Sequence, residues 1–265
     1  MRPIIKRELI LFFLFLLTLA WISPATAEIS TSLWQTTKSQ HFIIYYQDVS
    51  YKAYVDKLIS QAEDYYKNIV DELGYRRFDF WTWDNRAKIY LFNSSQDYQK
   101  DNGRLAWSGA TVQVKKRTMH TFVHQEGFFE SILPHELTHI IFREFIGMKV
   151  TLPLWIDEGV ACSQEKTTLN ERLQFAKNLV KSEMNLSLDN LTRISDYNLV
   201  VPKVFYSEAA SLVVFLLKQG YGGKNFLEFS RKLRDGSTWQ DALKDIYGFK
   251  DIKDLETQWK AYTLK

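Results

Sequence analysis

Pro134-His135-Glu136-Leu137-Thr138-His139-Ile140 is the stretch from which the rest of the chain can be read. On an α-helix, residues four apart differ by about 40° around the axis, so His135 and His139 present both imidazoles on one face, one turn apart. That spacing makes a two-pronged clamp for a metal ion. Glu136, rotated by about 100° from His135, flanks the same face and can hold and deprotonate a water at the metal's open position without ligating. A tetrahedral catalytic zinc takes three protein ligands and leaves one position for water. The third must come from another segment. Glu158, in Leu154-Trp155-Ile156-Asp157-Glu158-Gly159-Val160-Ala161, is the candidate, with Asp157 as its competitor. The eighteen residues between His139 and Glu158 suit a helix end, a turn and a second helix packed back across the first.

His-Glu-Leu-Thr-His followed by Leu-Pro-Leu-Trp-Ile-Asp-Glu-Gly-Val-Ala resembles the gluzincin branch of zinc metallopeptidases, and most of all the small peptidase MA-like domains. A third, weaker match is Val204-Phe205-Tyr206-Ser207-Glu208-Ala209-Ala210-Ser211, continuing to Leu217 and then Gly220-Tyr221-Gly222. The resemblance spans roughly residues 106 to 263 and implies one zinc ion held by His135, His139 and Glu158, with Glu136 as general base. It also implies that the Tyr206 hydroxyl faces the transition-state oxyanion and that the sheet strand nearest the metal helix pairs with an extended substrate. Some family members carry a carboxylate at the position of Cys162 as a partner for a histidine ligand, and this chain does not. Gluzincin aminopeptidases carry Gly-x-Met-x-Asn with an acid just before the Asn that grips the substrate's free amine. The comparable stretch here is Gly109-Ala110-Thr111-Val112-Gln113, with Val112 in place of that acid, which favours internal peptide bonds over amino-terminal trimming.

At 265 residues, 46% of them hydrophobic and 15% aromatic, the chain has enough apolar surface for one ample core. Its net charge of +3 falls by two when residues 1–27 are set aside, because that stretch holds Arg2, Lys6 and Arg7 against Glu8. No nucleic-acid footprint follows from so small a charge. Residues 1–27 read as an export signal: a basic start, an apolar run from Leu9 to Ile22 and the small-x-small site Ala25-Thr26-Ala27. The run is shorter than the roughly 20 residues that span a bilayer, so cleavage is expected, with an uncleaved amino-terminal anchor as the alternative. The chain is therefore expected outside the cytoplasm, secreted or in the cell envelope, without stable membrane insertion. Cys162, the single cysteine, forms no internal disulfide. It reads as a small buried residue four positions after Glu158, near the metal's surroundings.

Residues 28–265 read as one α+β unit: a small twisted sheet lobe over about 38–125, then a mainly helical lobe over about 126–265, with the cleft between. Strands are expected at 40–46, 87–92, 106–114 and 119–123 from their β-branched and aromatic content. The spacing of Val55, Leu58, Ile59, Ala62, Tyr65, Tyr66, Ile69 and Val70 predicts a long helix from Tyr51 that stops at Gly74. A short helix follows at 94–100. The metal helix starts near Ser131 or Ile132, which leaves Pro134 in the first turn, or earlier at Gly127 with a kink, and ends at Gly147. Further helices are expected at 169–184, 205–218, 224–233, 237–247 and 252–262, with 186–202 the least regular part. Substrate pockets are expected from residues 103–107 and from 186–202.

Two features have bland readings beside the functional ones. His120 and His124 are four apart on a strand, about 13 Å from each other, too far to share a metal, and are expected to face solvent or substrate. Glu208 is expected to charge the first turn of its helix rather than reach substrate. The expected activity is hydrolysis of peptides or proteins. The alternatives are a catalytically vestigial zinc protein of the envelope and a non-enzymatic binding or assembly factor on the same scaffold.

Overall fold

The computed structural model describes residues 34–75, 81–101, 109–124, 126–196, 201–219 and 223–265. The expected export signal at 1–27, the expected pocket loop at 103–107 and Gly220-Tyr221-Gly222 lie outside the described residues. All those described fall in one unit running from Thr31 to Lys265.

Five strands form one mixed sheet: β1 (Gln35–Lys38), β2 (Phe42–Tyr46), β3 (Ala87–Phe92), β4 (Ala110–Gln113) and β5 (Thr118–Phe122). Their order is β1-β2-β3-β5-β4, with β2, β3 and β5 mutually parallel and the outer strands β1 and β4 antiparallel to their neighbours. Alternation along β2 buries Phe42, Ile44 and Tyr46, and Ile89, Leu91 and Met119 continue that core across the sheet. Against it lies α1 (Lys52–Glu72), whose buried residues Val55, Leu58, Ala62, Tyr65, Tyr66, Ile69 and Val70 recur at helical spacing. The turn after it needs Gly74: φ is +80° there, and a Cβ would meet the Gly223 carbonyl oxygen at 2.8 Å.

The chain then passes through α2 (Ser95–Lys100), which Ser94 caps, and the β4–β5 hairpin to a single π-turn at Phe128–Ile132 and α3 (Leu133–Ile146). Pro134 sits in the first turn of α3, where its missing N–H costs nothing, and Gly147 ends the helix at φ +99°. The π-turn carries helical winding back to Phe128, so elements of both expected starts occur.

The helical lobe comprises α4 (Leu154–Cys162), α5 (Leu169–Lys181), α6 (Leu188–Arg193), α7 (Pro202–Lys218), α8 (Gly223–Arg234), α9 (Trp239–Tyr247) and α10 (Ile252–Thr263). Helix α7 is buried on nearly every side, from Phe205 through Leu216, and is the axis around which the lobe packs. It lies so close to α4 that a Cβ on Gly159 would stand 2.4 Å from the Ala209 carbonyl oxygen. Glycine at 159 is thus what lets the residue before it, Glu158, reach inward from the seam between the two helices. The architecture is the zincin-like α+β arrangement of a small sheet followed by helices. None of the described helices is long and apolar enough to cross a membrane.

Candidate metal centre

Helix α3 buries Leu137, Thr138, Ile141 and Phe142 and turns His135 and His139 the other way. Their Nε2 atoms are 3.2 Å apart. Helix α4, packed back across α3, brings Glu158 Oε2 to 3.4 Å from His135 Nε2 and 3.7 Å from His139 Nε2. Ligand atoms bound to a tetrahedral zinc at about 2.0–2.1 Å stand roughly 3.3 Å from one another, so the three edges of this triangle match that spacing. Two imidazoles and one carboxylate are also a donor set that suits zinc. The residues present fit the ion.

Each histidine has an acid behind it, and His135 is hydrogen-bonded to its own. The Nδ1–H of His135 donates to Glu165 Oε1 at 2.9 Å, which fixes the tautomer that leaves Nε2 free to ligate. Glu165 is held in turn by Arg172, at 2.9 and 3.2 Å, and by the Thr168 hydroxyl. Cys162 Sγ is 3.9 Å from the same Nδ1, and its side chain is fully buried. The histidine partner absent at Cys162 is therefore supplied three residues later, from beyond the end of α4. Its only trace in the sequence is an isolated acid after a helix end, with Arg172 in the helix that follows. Asp157, the competitor for the third ligand, lies on the far side of the other ring, with Oδ1 3.6 Å from His139 Nδ1. Its second oxygen accepts from Arg143 Nε and Nη2 at 3.0 and 2.9 Å. Asp157 stands behind the ring at ion-pair distance, and Glu158 points into the cluster.

Burial opposes charge on both histidines, but the acids around them outweigh it. His135 is raised well above the usual imidazole range by Cys162, Glu158 and Glu165, and His139 is pushed up to about 10 by Glu158 and Asp157. Burial likewise raises Glu158 and Glu165, yet the histidines hold Glu158 far below the usual carboxylate range, and His135 with Arg172 brings Glu165 down to about 2. Metal entering this cluster must displace protons from the two rings.

The cluster opens on a groove of about 830 Å³. One wall is the edge strand β4 and the turn after it; the other is α3 with Glu136 and, further round, Tyr206 of α7. Of the two strands considered from sequence, β4 is the one beside the metal helix. Glu136 lines the groove and pairs with none of the described cations. The Tyr206 phenol is pushed up to about 12, first by burial and then by the charge of Glu158, so it keeps its proton and can donate.

Three expectations change. His120 is 3% exposed and stacked 5.1 Å from Tyr90, because β5 is a central strand covered on both faces rather than a solvated one. His124 is half-buried rather than solvated: its Nε2 lies 2.9 Å from the Gly109 carbonyl oxygen, its ring stacks on Phe122 and Phe128, and it lines a pocket separate from the groove. Glu208 does not charge a first turn, since α7 begins at Pro202; it is fully buried and accepts the Leu186 amide at 3.0 Å. Of the segment at 186–202, residues 188–193 form α6, and 197–200 lie outside the described residues.

No curated protein matches the chain. The family model described as the peptidase MA superfamily matches residues 83–265, which include β4, the histidine pair, Glu158 and Tyr206. With well over half the sequence covered, the chain belongs to the peptidase MA superfamily, and its domain is peptidase-related.

Proposed function

We propose that this protein is an exported zinc-dependent peptidase of gluzincin type that cuts internal peptide bonds. The observation that carries the proposal is the triangle of His135 Nε2, His139 Nε2 and Glu158 Oε2, with zinc-like edges, beside the carboxylate of Glu136, which pairs with no cation among the described residues, in an open groove. When bound, zinc supplies a Lewis acid that brings the pKa of a water to about 7 and polarises the scissile carbonyl. Glu136 takes the proton of the attacking water and delivers it to the leaving nitrogen, which would otherwise depart as an unstable amide anion. Tyr206 donates its phenolic hydrogen to the developing oxyanion, a contribution of roughly 3 kcal/mol for comparable donors. Glu165 holds the His135 imidazole, Asp157 supplies a negative charge behind His139, and β4 aligns the substrate by strand pairing. Val112, in the middle of β4, supplies no anchor for a free amine, and the groove continues along Ala110–Lys116, which suits cleavage within a chain.

Export is supported by the charged, apolar and small-x-small pattern of residues 1–27, and a chain that needs no disulfide is compatible with it.

The test is zinc content and cleavage of a mixed peptide library by wild type and Glu136→Gln. Wild type is expected to bind one zinc and cleave; the variant should keep the zinc and lose roughly 10²–10⁴-fold in rate. Zinc without cleavage in the wild type would mean a vestigial site, and neither zinc nor cleavage would leave a binding platform.

A further inference from the structure

We infer that the turn Lys115-Lys116 at the far end of the groove is a specificity site for acidic side chains, placed about three residues from the bond that is cut. The inference takes the cut itself from the proposed peptidase activity, but the binding preference stands without it.

Two contacts fix how β4 lies against α3. At one end a Cβ on Gly109 would meet Ile132 Cδ1 at 2.8 Å, so the start of β4 touches the start of the helix. At the other, Arg117 Nε donates to Glu144 Oε1 at 2.6 Å, tying the turn after β4 to the end of the helix. Strand and helix therefore run side by side in the same direction. With about 1.5 Å of rise per helical residue, the midpoint of His135 and His139 lies about 7 Å from Ile132, which falls opposite the neighbourhood of Val112. Lys115 and Lys116 follow in the 3-10 turn Val114–Lys116 that closes the hairpin, roughly two to three residues further along an extended peptide laid against β4.

The charges along the groove single out these two residues. Arg143 is taken up by Asp157, Arg117 by Glu144, and Glu158 by the histidines. Lys115 and Lys116 both line the groove, both are exposed, and neither pairs with an acid among the described residues. A peptide carrying Asp or Glu at the matching position gains two partners. One carrying Lys or Arg there meets like charge.

The probes are fluorescein-labelled decapeptides of one neutral sequence in which a single Glu is walked through every position, each compared with its Gln counterpart. Binding is followed by fluorescence anisotropy on zinc-loaded Glu136→Gln, and kcat/KM on wild type. Glu should improve affinity roughly three- to tenfold over Gln, at positions confined to one side of the cut, and the gain should shrink with added salt. Lys115→Glu/Lys116→Glu should abolish or reverse it; both side chains are exposed, and circular dichroism verifies the fold. The inference is overturned if Glu and Gln peptides bind alike at every position, if both flanks respond equally, or if the preference survives in the double variant. Acid-dependent binding without cleavage of any peptide would sink the peptidase reading and leave this site standing.

Discussion

Glu158 and Glu208 are two buried carboxylates on two helices packed directly against each other, 5% and 0% exposed, and their surroundings push them in opposite directions. Glu158 faces two imidazole nitrogens at 3.4 and 3.7 Å and is held far below the usual carboxylate range in spite of burial. Glu208 has the Leu186 amide on one oxygen and, among the described residues, no hydrogen-bond partner on the other. Burial, with Glu256 adding to it and Leu186 and Lys260 opposing, pushes it up to about 7. Loss of water creates the same demand in both places. Where two rings on one helix face answer it, the result is a donor set for a metal. A single backbone amide in that role makes a latch, here between α7 and the chain at Leu186.

The sharpest way to break this contrast is to make both residues neutral. Glu158→Gln removes one ligand of three and should lower zinc affinity on the order of 10²–10³-fold, since structural sites gain about 10–16 kcal/mol from their whole ligand set. Glu208→Gln should leave the zinc content unchanged. Competition against a chromophoric chelator measures both, and equal losses would show that the two environments are not distinct.

Acid–base linkage gives the next largest effect. Glu208 binds its proton more tightly folded, at about 7, than an unfolded glutamate does near 4.5. Its contribution to stability is therefore complete below about pH 4.5 and is lost as pH rises through 7. The span corresponds to roughly 2–3 kcal/mol between pH 5 and pH 8, or about 5–10 °C in Tm. The difference between wild type and Glu208→Gln, from urea denaturation at the two pH values, isolates this group. Parallel pH profiles for the two proteins would place the titration elsewhere.

The parts legible in the sequence are those set by local periodicity. Helix α1 buries the residues its spacing nominates except Ile59, which is half-buried at the edge of the core, α3 takes Pro134 in its first turn and ends at Gly147, and the i, i+4 histidines share a face because a helix leaves them no alternative. What was not legible depends on partners distant in the chain. Strand β1, Gln35-Thr36-Thr37-Lys38, has no apolar alternation and exists through its pairing with β2. His120 lies on a strand whose double coverage follows from the strand order, which no local pattern encodes. Glu165 reaches His135 after the chain turns at Ser163-Gln164, because α4 ends at Cys162 and no continuous helix carries the i, i+7 spacing from Glu158.

The smallest effect expected concerns that unforeseen carboxylate, and it refines the account of why the Glu158 site can hold a metal. If Glu165 acts by fixing the His135 tautomer, Glu165→Gln should weaken zinc binding by about 10–100-fold without removing a ligand. An amide can still accept from Nδ1 but carries no charge to balance the ring, and Arg172 loses the anion it grips in two places. Asp157 offers an internal scale for this effect. Its oxygen lies 3.6 Å from His139 Nδ1, longer than a hydrogen bond, against 2.9 Å for Glu165 and His135. Asp157→Asn should therefore reduce zinc affinity less than Glu165→Gln does. The reverse order would mean that the charge of the acid, rather than its hold on one ring nitrogen, is what tunes the ligands.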